Sequence, residues 1–578
     1  MLGTMAGLWI SLFLVILGGI MLMGVALGRN SEQEVSVKKH SILHFNLSGE
    51  VVDRKQPVSF IQMIQMEDNK TPSMEEMLAS LKIAAKDDKI DGLLLTFGGS
   101  SMGPASREEL IEGIEEFKKT GKWVYAYADN YSQGDYLVAS TATSVNLNPI
   151  GAVEIHGLGA VVPFYKGLLD KVGVKMQVLK VGTYKSAVEP YVLTGISEPA
   201  RLQTQQYCDT IWNYISNTIA DNRGLTQNFV KELAPKMIFT CEADKFLDYK
   251  LVDRLMYNRQ NEDALRDLTE LDPDEKIRLV TPADYLKSKT ALSMLESEKT
   301  HIAVLYALGE ISDSGKEGIV GSAMVDEIVD LADDDDVAGM VLRVNSPGGS
   351  AFASEQIWEA LEYFKSKNKP LYVSMGDYAA SGGYYISCPA DSIFADLTTI
   401  TGSIGVFGLI PDFSGLVTDK LGVTFSTVET NNNAAGISVL TPMSTDQYDA
   451  MQKSVENIYE LFTKRVADGR DLEIDYVKSI AEGRIWVGAD AVKLGLVDTL
   501  GSLDDAIGAM ADSIGLTKSD VVAYPRYEEK IWEQFLRDYG IDQLNLEFDP
   551  ETLQAADFLR RLRSANPIQA RMPEVILK

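Results

Sequence analysis

The chain is poor in histidine and poorer in cysteine, with four of the first and three of the second in 578 residues. Cys208, Cys241 and Cys388 lie far apart, with neither C-x-x-C spacing nor a histidine partner. That argues against a disulfide framework and against a zinc site. There is no G-x-x-x-x-G-K-[ST] loop, so the chain carries no obvious nucleotide-driven motor, and no cofactor is expected. Positive charge is also short: 54 Lys and Arg stand against 83 Asp and Glu, a formal net charge of -29. This balance argues against a nucleic-acid partner and against a generally basic membrane-binding surface.

Apolar sequence, by contrast, is concentrated at the start. From Ala6 to Gly28, "AGLWISLFLVILGGIMLMGVALG" is uncharged, and roughly 20 such residues cross a bilayer as a helix. A secretory leader would have a shorter apolar core, a basic start and an A-x-A-like end. Residues 6–28 are therefore expected to be an uncleaved anchor. Arg29, Lys38 and Lys39 follow it and no Lys or Arg precedes it, so the flanks alone would place the body in the cytoplasm.

Beyond the anchor the chain repeats itself. "IDGLLLTF" (90–97) and "EELIEGIEEFKKTGKWVYAYADNY" (108–131) mirror "VAGMVLRV" (337–344) and "EQIWEALEYFKSKNKPLYVSMGDY" (355–378). "GDYLVASTATSVNLN" (134–148) mirrors "GGYYISCPADSIFAD" (382–396), and "FLDYKLVDRL" (246–255) mirrors "AVKLGLVDTL" (491–500). Short Val/Ile/Leu-rich runs alternate with amphipathic stretches, the pattern of βα units around a mainly parallel sheet. Two copies of one α/β domain are expected, 44–258 and 300–505. A charged, helical connector (259–299) joins them, and a helical extension (506–578) follows.

Duplication lets each half serve as a control for the other. "MGDYAASGGYYIS" (375–387) presents Ser381 between a strand and a helix, but without the G-x-S-x-G elbow of α/β-hydrolases. Ser381 aligns with Gln133, so the first unit lacks the hydroxyl. "RVNSPGGSA" (343–351) can turn sharply and expose backbone N–H groups, an oxyanion hole if joined by the N–H of Gly382. Of His40, His44, His156 and His301, none is placed like a catalytic partner, although His156 could approach. A buried lysine can serve instead, since its neutral amine is the working base. Lys185, in "KVGTYKSAVEPY" (180–191), has no counterpart in "ETNNNAAG" (429–436). Each half lacks what the other holds, which points to one composite site rather than two.

Together "NSPGG", "YAASGGYY", "TGSIGVFG" (401–408) and "GTYKSAVEP" resemble the signal peptide peptidase A family, also called protease IV, in its long duplicated form. The resemblance covers nearly the whole chain. It implies Ser381 as nucleophile, Lys185 as general base, Gly349 and Gly382 as oxyanion donors, and Ser403 as the serine that orients the lysine. It further implies two tandem domains similar to the Clp protease and crotonase fold, and a homotetramer anchored in the cytoplasmic membrane. By the same resemblance the body faces the periplasm, against the flanking charges, and degrades cleaved signal peptides and other unfolded apolar peptides.

Two other readings compete. A crotonase-like acyl-CoA hydratase or isomerase would need carboxylates as acid and base. Glu355 is the only one close behind the glycine loop, and its equivalent Glu108 occurs in the half without that loop, which suggests helix surface. A non-enzymatic membrane scaffold would leave the divided serine and lysine unexplained.

Overall fold

A computed structural model describes residues 37–56, 71–295, 299–315, 317–526, 568–572 and 576–577. The expected anchor, 6–28, lies outside them; among the described residues no helix is long and apolar enough to cross a membrane.

The first unit is built on a parallel sheet. β1 (Ser41–Glu50), β2 (Ile90–Ser101), β3 (Trp123–Ala128) and β4 (Ser144–Leu147) pair in that order. β5 (Lys175–Val181) leaves this sheet, β6 (Arg254–Leu255) joins beside β4, and β7 (Arg278–Val280) joins beside β1. Phe45, Leu47, Leu93, Leu95, Val124 and Ala126 are fully buried. Strands covered by helices on both faces bury side chains of both parities, so their sequences read as near-continuous apolar runs.

The second unit repeats the plan. Its strands are β8 (His301–Leu308), β9 (Val337–Ser346), β10 (Gly348–Ser350), β11 (Leu371–Ala380), β12 (Ser392–Ala395), β13 (Ile400–Gly402), β14 (Val406–Asp412), β15 (Ile485–Val487), β16 (Thr499–Leu500) and β17 (Val521–Tyr524). β8, β9, β11, β12 and β16 are parallel neighbours, with β17 beside β8, strand for strand as in the first sheet. The helices correspond as well: α1 (Pro104–Lys119), α2 (Gln133–Ala139) and α3 (Glu198–Arg223) match α4 (Ala351–Ser366), α5 (Gly382–Ser387) and α6 (Thr445–Arg470). α3 and α6 each start on a serine, Ser197 or Ser444, whose hydroxyl accepts a first-turn N–H, and each ends on a left-handed residue. Tyr136 donates to the Leu251 carbonyl at 2.6 Å and Tyr384 to that of Leu496 at 2.8 Å, an internal ruler that superimposes the units.

Each sheet takes one strand from beyond the expected domain limits. The connector is not wholly helical, because β7 closes the edge of β1. Nor is the C-terminal extension, since β17 does the same for β8, and β18 (Ile568–Arg571) is also a strand. The run "VVAY" is β-branched and aromatic, and an open edge at β8 would leave backbone groups unpaired. The two stretches read as helical, 527–548 and 555–567, lie outside the described residues.

The seam between the units joins an apolar part, where Ile400, Ile485 and Val487 enter the first unit's core, to a polar and buried one. Arg343 on β9 donates to Asp53 (2.8 Å) and, through both terminal nitrogens, to Glu109 (2.7 and 2.9 Å), across the two units. Burial opposes the Arg343 charge, but Glu109 and Asp53 outweigh it and hold the guanidinium protonated. Asp377 of the second unit accepts the N–H groups of Ala105 and Ser106 in the first turn of α1, where the helix dipole favours an anion. Removing one partner of a buried ion pair leaves the other uncompensated, at about 3–5 kcal/mol. Arg343→Leu should therefore lower unfolding stability by about that amount in a denaturant titration, far more than Lys119→Leu at the exposed Lys119–Glu116 pair.

Candidate active site

Ser381 follows β11 directly, at φ 56° and ψ -113°, outside the regions an ordinary L-residue prefers. The strain is held by two backbone bonds: its N–H donates to Gly402 O at 2.8 Å, and its carbonyl accepts from Tyr385 N at 2.8 Å. Its side chain is fully buried. Ser403, just past β13, also has positive φ, 50°, and is fixed by its N–H on Arg484 O at 2.7 Å.

Lys185 arrives from the first unit by way of β5, which does not return to its own sheet. β5 pairs antiparallel with β14, from Lys175 opposite Asp412 to Val181 opposite Val406. The ladder ends beside the Ser403 turn, and the loop beyond Val181 carries Lys185 inward. Its Nζ lies 2.8 Å from Ser381 Oγ, 3.1 Å from Ser403 Oγ and 3.0 Å from Ser403 O. Lys185 is fully buried, and burial holds its pKa well below the ordinary lysine range. A neutral amine has one lone pair and two N–H groups. It can accept the Ser381 proton while donating to the two Ser403 oxygens.

The glycine loop lies against the same point. Gly348 and Gly349 have φ of +97° and +157°, and a methyl on Gly348 would lie 2.6 Å from Gly382 N. A methyl on Gly382 would lie 3.1 Å from Gly349 N. The amides of Gly349 and Gly382 thus lie close together, where a side chain on Gly348 or Gly382 would crowd them. All five residues expected at the site, Ser381, Lys185, Ser403, Gly349 and Gly382, are brought together.

Other residues hold the lysine in place. Gln203 on α3 donates to Tyr184 O and Ser186 Oγ, both at 3.2 Å, and accepts from Ile485 N on β15 at 3.2 Å, pinning the lysine loop to the second unit. Tyr184 N–H donates to Glu482 O at 2.9 Å, and Thr183 N–H to the Glu482 carboxylate at 3.1 Å. Gly483, at φ +73°, leaves the space into which Lys185 threads; a methyl there would sit 2.7 Å from the Lys185 Cβ. None of these has a local sequence signal, and Gly483 is an ordinary-looking glycine between Glu482 and Arg484 in "AEGRIWVG".

In the first unit the equivalent point is closed. Gln133 donates to Gly157 O and accepts from the N–H groups of His156 and Gly157, at 3.0, 2.9 and 2.9 Å. The bridge between Tyr131 and Val153 mirrors that between Tyr378 and Ile400, which puts His156 at the Ser403 position with its ring exposed. His40 pairs with Asp91, His44 with Thr96, and His301 stacks on Tyr524.

The two glutamates weighed as rivals are not helix-surface residues. Glu108 is buried and accepts from Leu397 N and Thr398 N across the seam, because the start of α1 packs there. Glu355 is half-buried and is held by Arg465 and Tyr385. Neither touches Ser381 or Lys185, whose hydrogen-bond partners among the described residues include no carboxylate.

The same arrangement is placed in a known class by sequence comparison. The model of peptidase family S49 matches twice, at residues 116–272 and 363–517, once in each unit. Protease 4 of Haemophilus influenzae is 34% identical over 515 residues, covering 85% of this chain and 82% of that protein. The chloroplastic serine protease SPPA of Arabidopsis thaliana is 27% identical over 478 residues, 82% of this chain and 69% of that one. A solved ClpP1 mutant of Listeria monocytogenes matches 35% of this chain and 93% of its own at 13% identity and a TM-score of 0.24, too low to bear on the fold. The protein is a serine protease. It belongs to peptidase family S49.

Two outcomes follow from the geometry. The unfolded chain protonates Lys185 more readily than the folded one, so this residue's contribution to stability rises with pH, from its lowered folded pKa up to the ordinary value of 10.5. Lys185→Met should be more stable than wild type at neutral pH, and denaturant midpoints should show the gap closing by up to about 1.4 kcal/mol per pH unit within that window. Gly483→Val should displace the lysine and lower peptidase kcat by about 10²-fold, while circular dichroism stays that of the folded protein.

Proposed function

We propose that the protein is a membrane-anchored endopeptidase with a Ser-Lys dyad, acting on released signal peptides and other short, unfolded apolar peptides. The observation that carries this reading is the buried amine of Lys185, 2.8 Å from Ser381 Oγ with no carboxylate partner among the described residues. Ser381 Oγ attacks the peptide carbonyl as Lys185 takes its proton. The oxyanion of the tetrahedral intermediate accepts from the N–H groups of Gly349 and Gly382. Lys185 then gives its proton to the departing amine, and the acyl-serine is hydrolysed by a water that the same amine deprotonates. Ser403 acts on Lys185, keeping its lone pair directed at Ser381.

The wider assignment rests on the family resemblance and the apolar segment 6–28. Each unit is a Clp protease and crotonase-like domain, the body faces the periplasm from the cytoplasmic membrane, and four copies assemble. An extended peptide adds to a sheet edge through backbone bonds, which favours unfolded substrates over folded ones.

Lys185→Ala should abolish turnover as completely as Ser381→Ala, by about 10⁴-fold or more, because neither group works without the other. Lys185→Arg should be equally inactive, since a guanidinium stays protonated. In wild type, kcat/KM should rise with pH on a limb lying well below the 10.5 of free lysine. Purified full-length enzyme should degrade a synthetic signal peptide and leave a stably folded protein intact, both read by mass spectrometry. Near-wild-type turnover by Lys185→Ala would remove the dyad, and equal digestion of the folded protein would remove the substrate assignment.

A further inference from the structure

One residue of the second unit holds both the turn that orients Lys185 and the loop that carries it. Arg484 stands between Gly483 and β15, and its carbonyl accepts the Ser403 N–H at 2.7 Å. Gly483 N–H donates to Ile404 O at 2.8 Å, so this pair holds the Ser403 turn by two backbone bonds. The Arg484 side chain reaches the first unit instead. Its Cζ lies 4.1 Å from the centre of the Trp486 ring and 5.1 Å from that of Tyr184, the residue before Lys185. Nη2 donates to Gln206 Oε1 on α3 at 2.9 Å.

A guanidinium is attracted to the negative face of an aromatic ring, and its plane can lie on a ring while its edge still donates a hydrogen bond. Tyr184, Arg484 and Trp486 are half-buried, whereas their neighbours Lys185 and Gly483 are buried. The stack is thus the outer layer over the lysine loop. The first unit, which takes in no lysine, is built differently at this point. Met237 and Glu482 are its matching left-handed residues, at φ 49° and 55°, and by that register Ile238, Phe239 and Cys241 stand where Gly483, Arg484 and Trp486 do. The unit that receives the lysine has the cation and its indole platform; the other has neither.

We infer that Arg484 is a positioning residue for the reaction: stacked on Trp486, it clasps Tyr184 and so holds the lysine loop against the Ser403 turn with water kept from the amine. The inference rests on the dyad reading above. The charged side chains that face the lysine loop are Glu482 and Arg484 before β15 and Glu189 beyond Lys185 itself. Glu482 is bound to Thr183, and Glu189 to Ser197. α3 brings the uncharged Gln203 and Gln206, and the amine itself meets Ser381, Ser403 and the Phe407 ring. Burial is what lowers the Lys185 pKa, so admitting water raises it. Loss of the Arg484 charge would act in the same direction, which makes the neutral Tyr184 the probe of the clasp alone.

The test is the pH profile of kcat/KM for an added apolar peptide, measured on the full-length protein. Tyr184→Ala leaves every charge in place and should move the rising limb up by about one pH unit, an about tenfold loss below the limb that is recovered above it. Tyr184→Phe keeps the ring face and should restore the wild-type limb. Arg484→Met should move the limb the same way, and the double variant Tyr184→Ala with Arg484→Met no farther than Arg484→Met alone, since both changes remove one contact. Either single variant with an unmoved limb, or with the same fractional loss at every pH, overturns the inference and leaves the dyad standing. A double variant that adds the two shifts overturns it as well. Lys185→Ala that turns over the peptide, or a flat wild-type profile, overturns both the inference and the dyad.

Discussion

The seven residues of β5, laid antiparallel along β14, are the contact on which the site depends. Strand residues advance about 3.4 Å each, and a slip of one also exchanges the two faces of the strand. A 2.8 Å contact between Lys185 and Ser381 cannot survive such a slip. The ladder is therefore the ruler for the chemistry, and Gln203, Glu482 and Gly483 refine what it sets by fixing the loop at its end.

Two buried cations show how the same fold makes opposite use of burial. Arg343 is enclosed with Asp53 and Glu109, keeps its charge and joins the units. Among the described residues the Lys185 amine has hydroxyl and carbonyl oxygens as its hydrogen-bond partners and the Phe407 ring nearby, and burial lowers its pKa well below the ordinary lysine range. The difference lies in the company each side chain keeps, since both are almost completely removed from water.

Much of this was legible in the amino-acid sequence because the chain contains its own control. Ser381 opposite Gln133, and Lys185 opposite a stretch with no lysine, marked the divided site before any geometry was known, and the glycine pair marked the neighbouring amides. What could not be read was which sheet β5 would join, since an amphipathic run of seven residues pairs equally well with either. Gln203 was invisible for a related reason: its partner Ile485 is 282 residues away, and a glutamine on a long helix has no local signature. β7, β17 and β18 were missed because strands of three or four residues carry too little periodicity to rise above helical surroundings.

The division of the dyad also sets a clock on the protein's own synthesis. Lys185 leaves the ribosome 196 residues before Ser381, in a unit whose sheet closes without it. Until β14 has been made and has taken up β5, that lysine has no apolar enclosure, and its amine is an ordinary hydrated ammonium. Gln133 has meanwhile sealed the corresponding point of the first unit with three hydrogen bonds. A half-made chain is thus inert toward its neighbours, and the hazard of a nascent protease is deferred until both halves have folded.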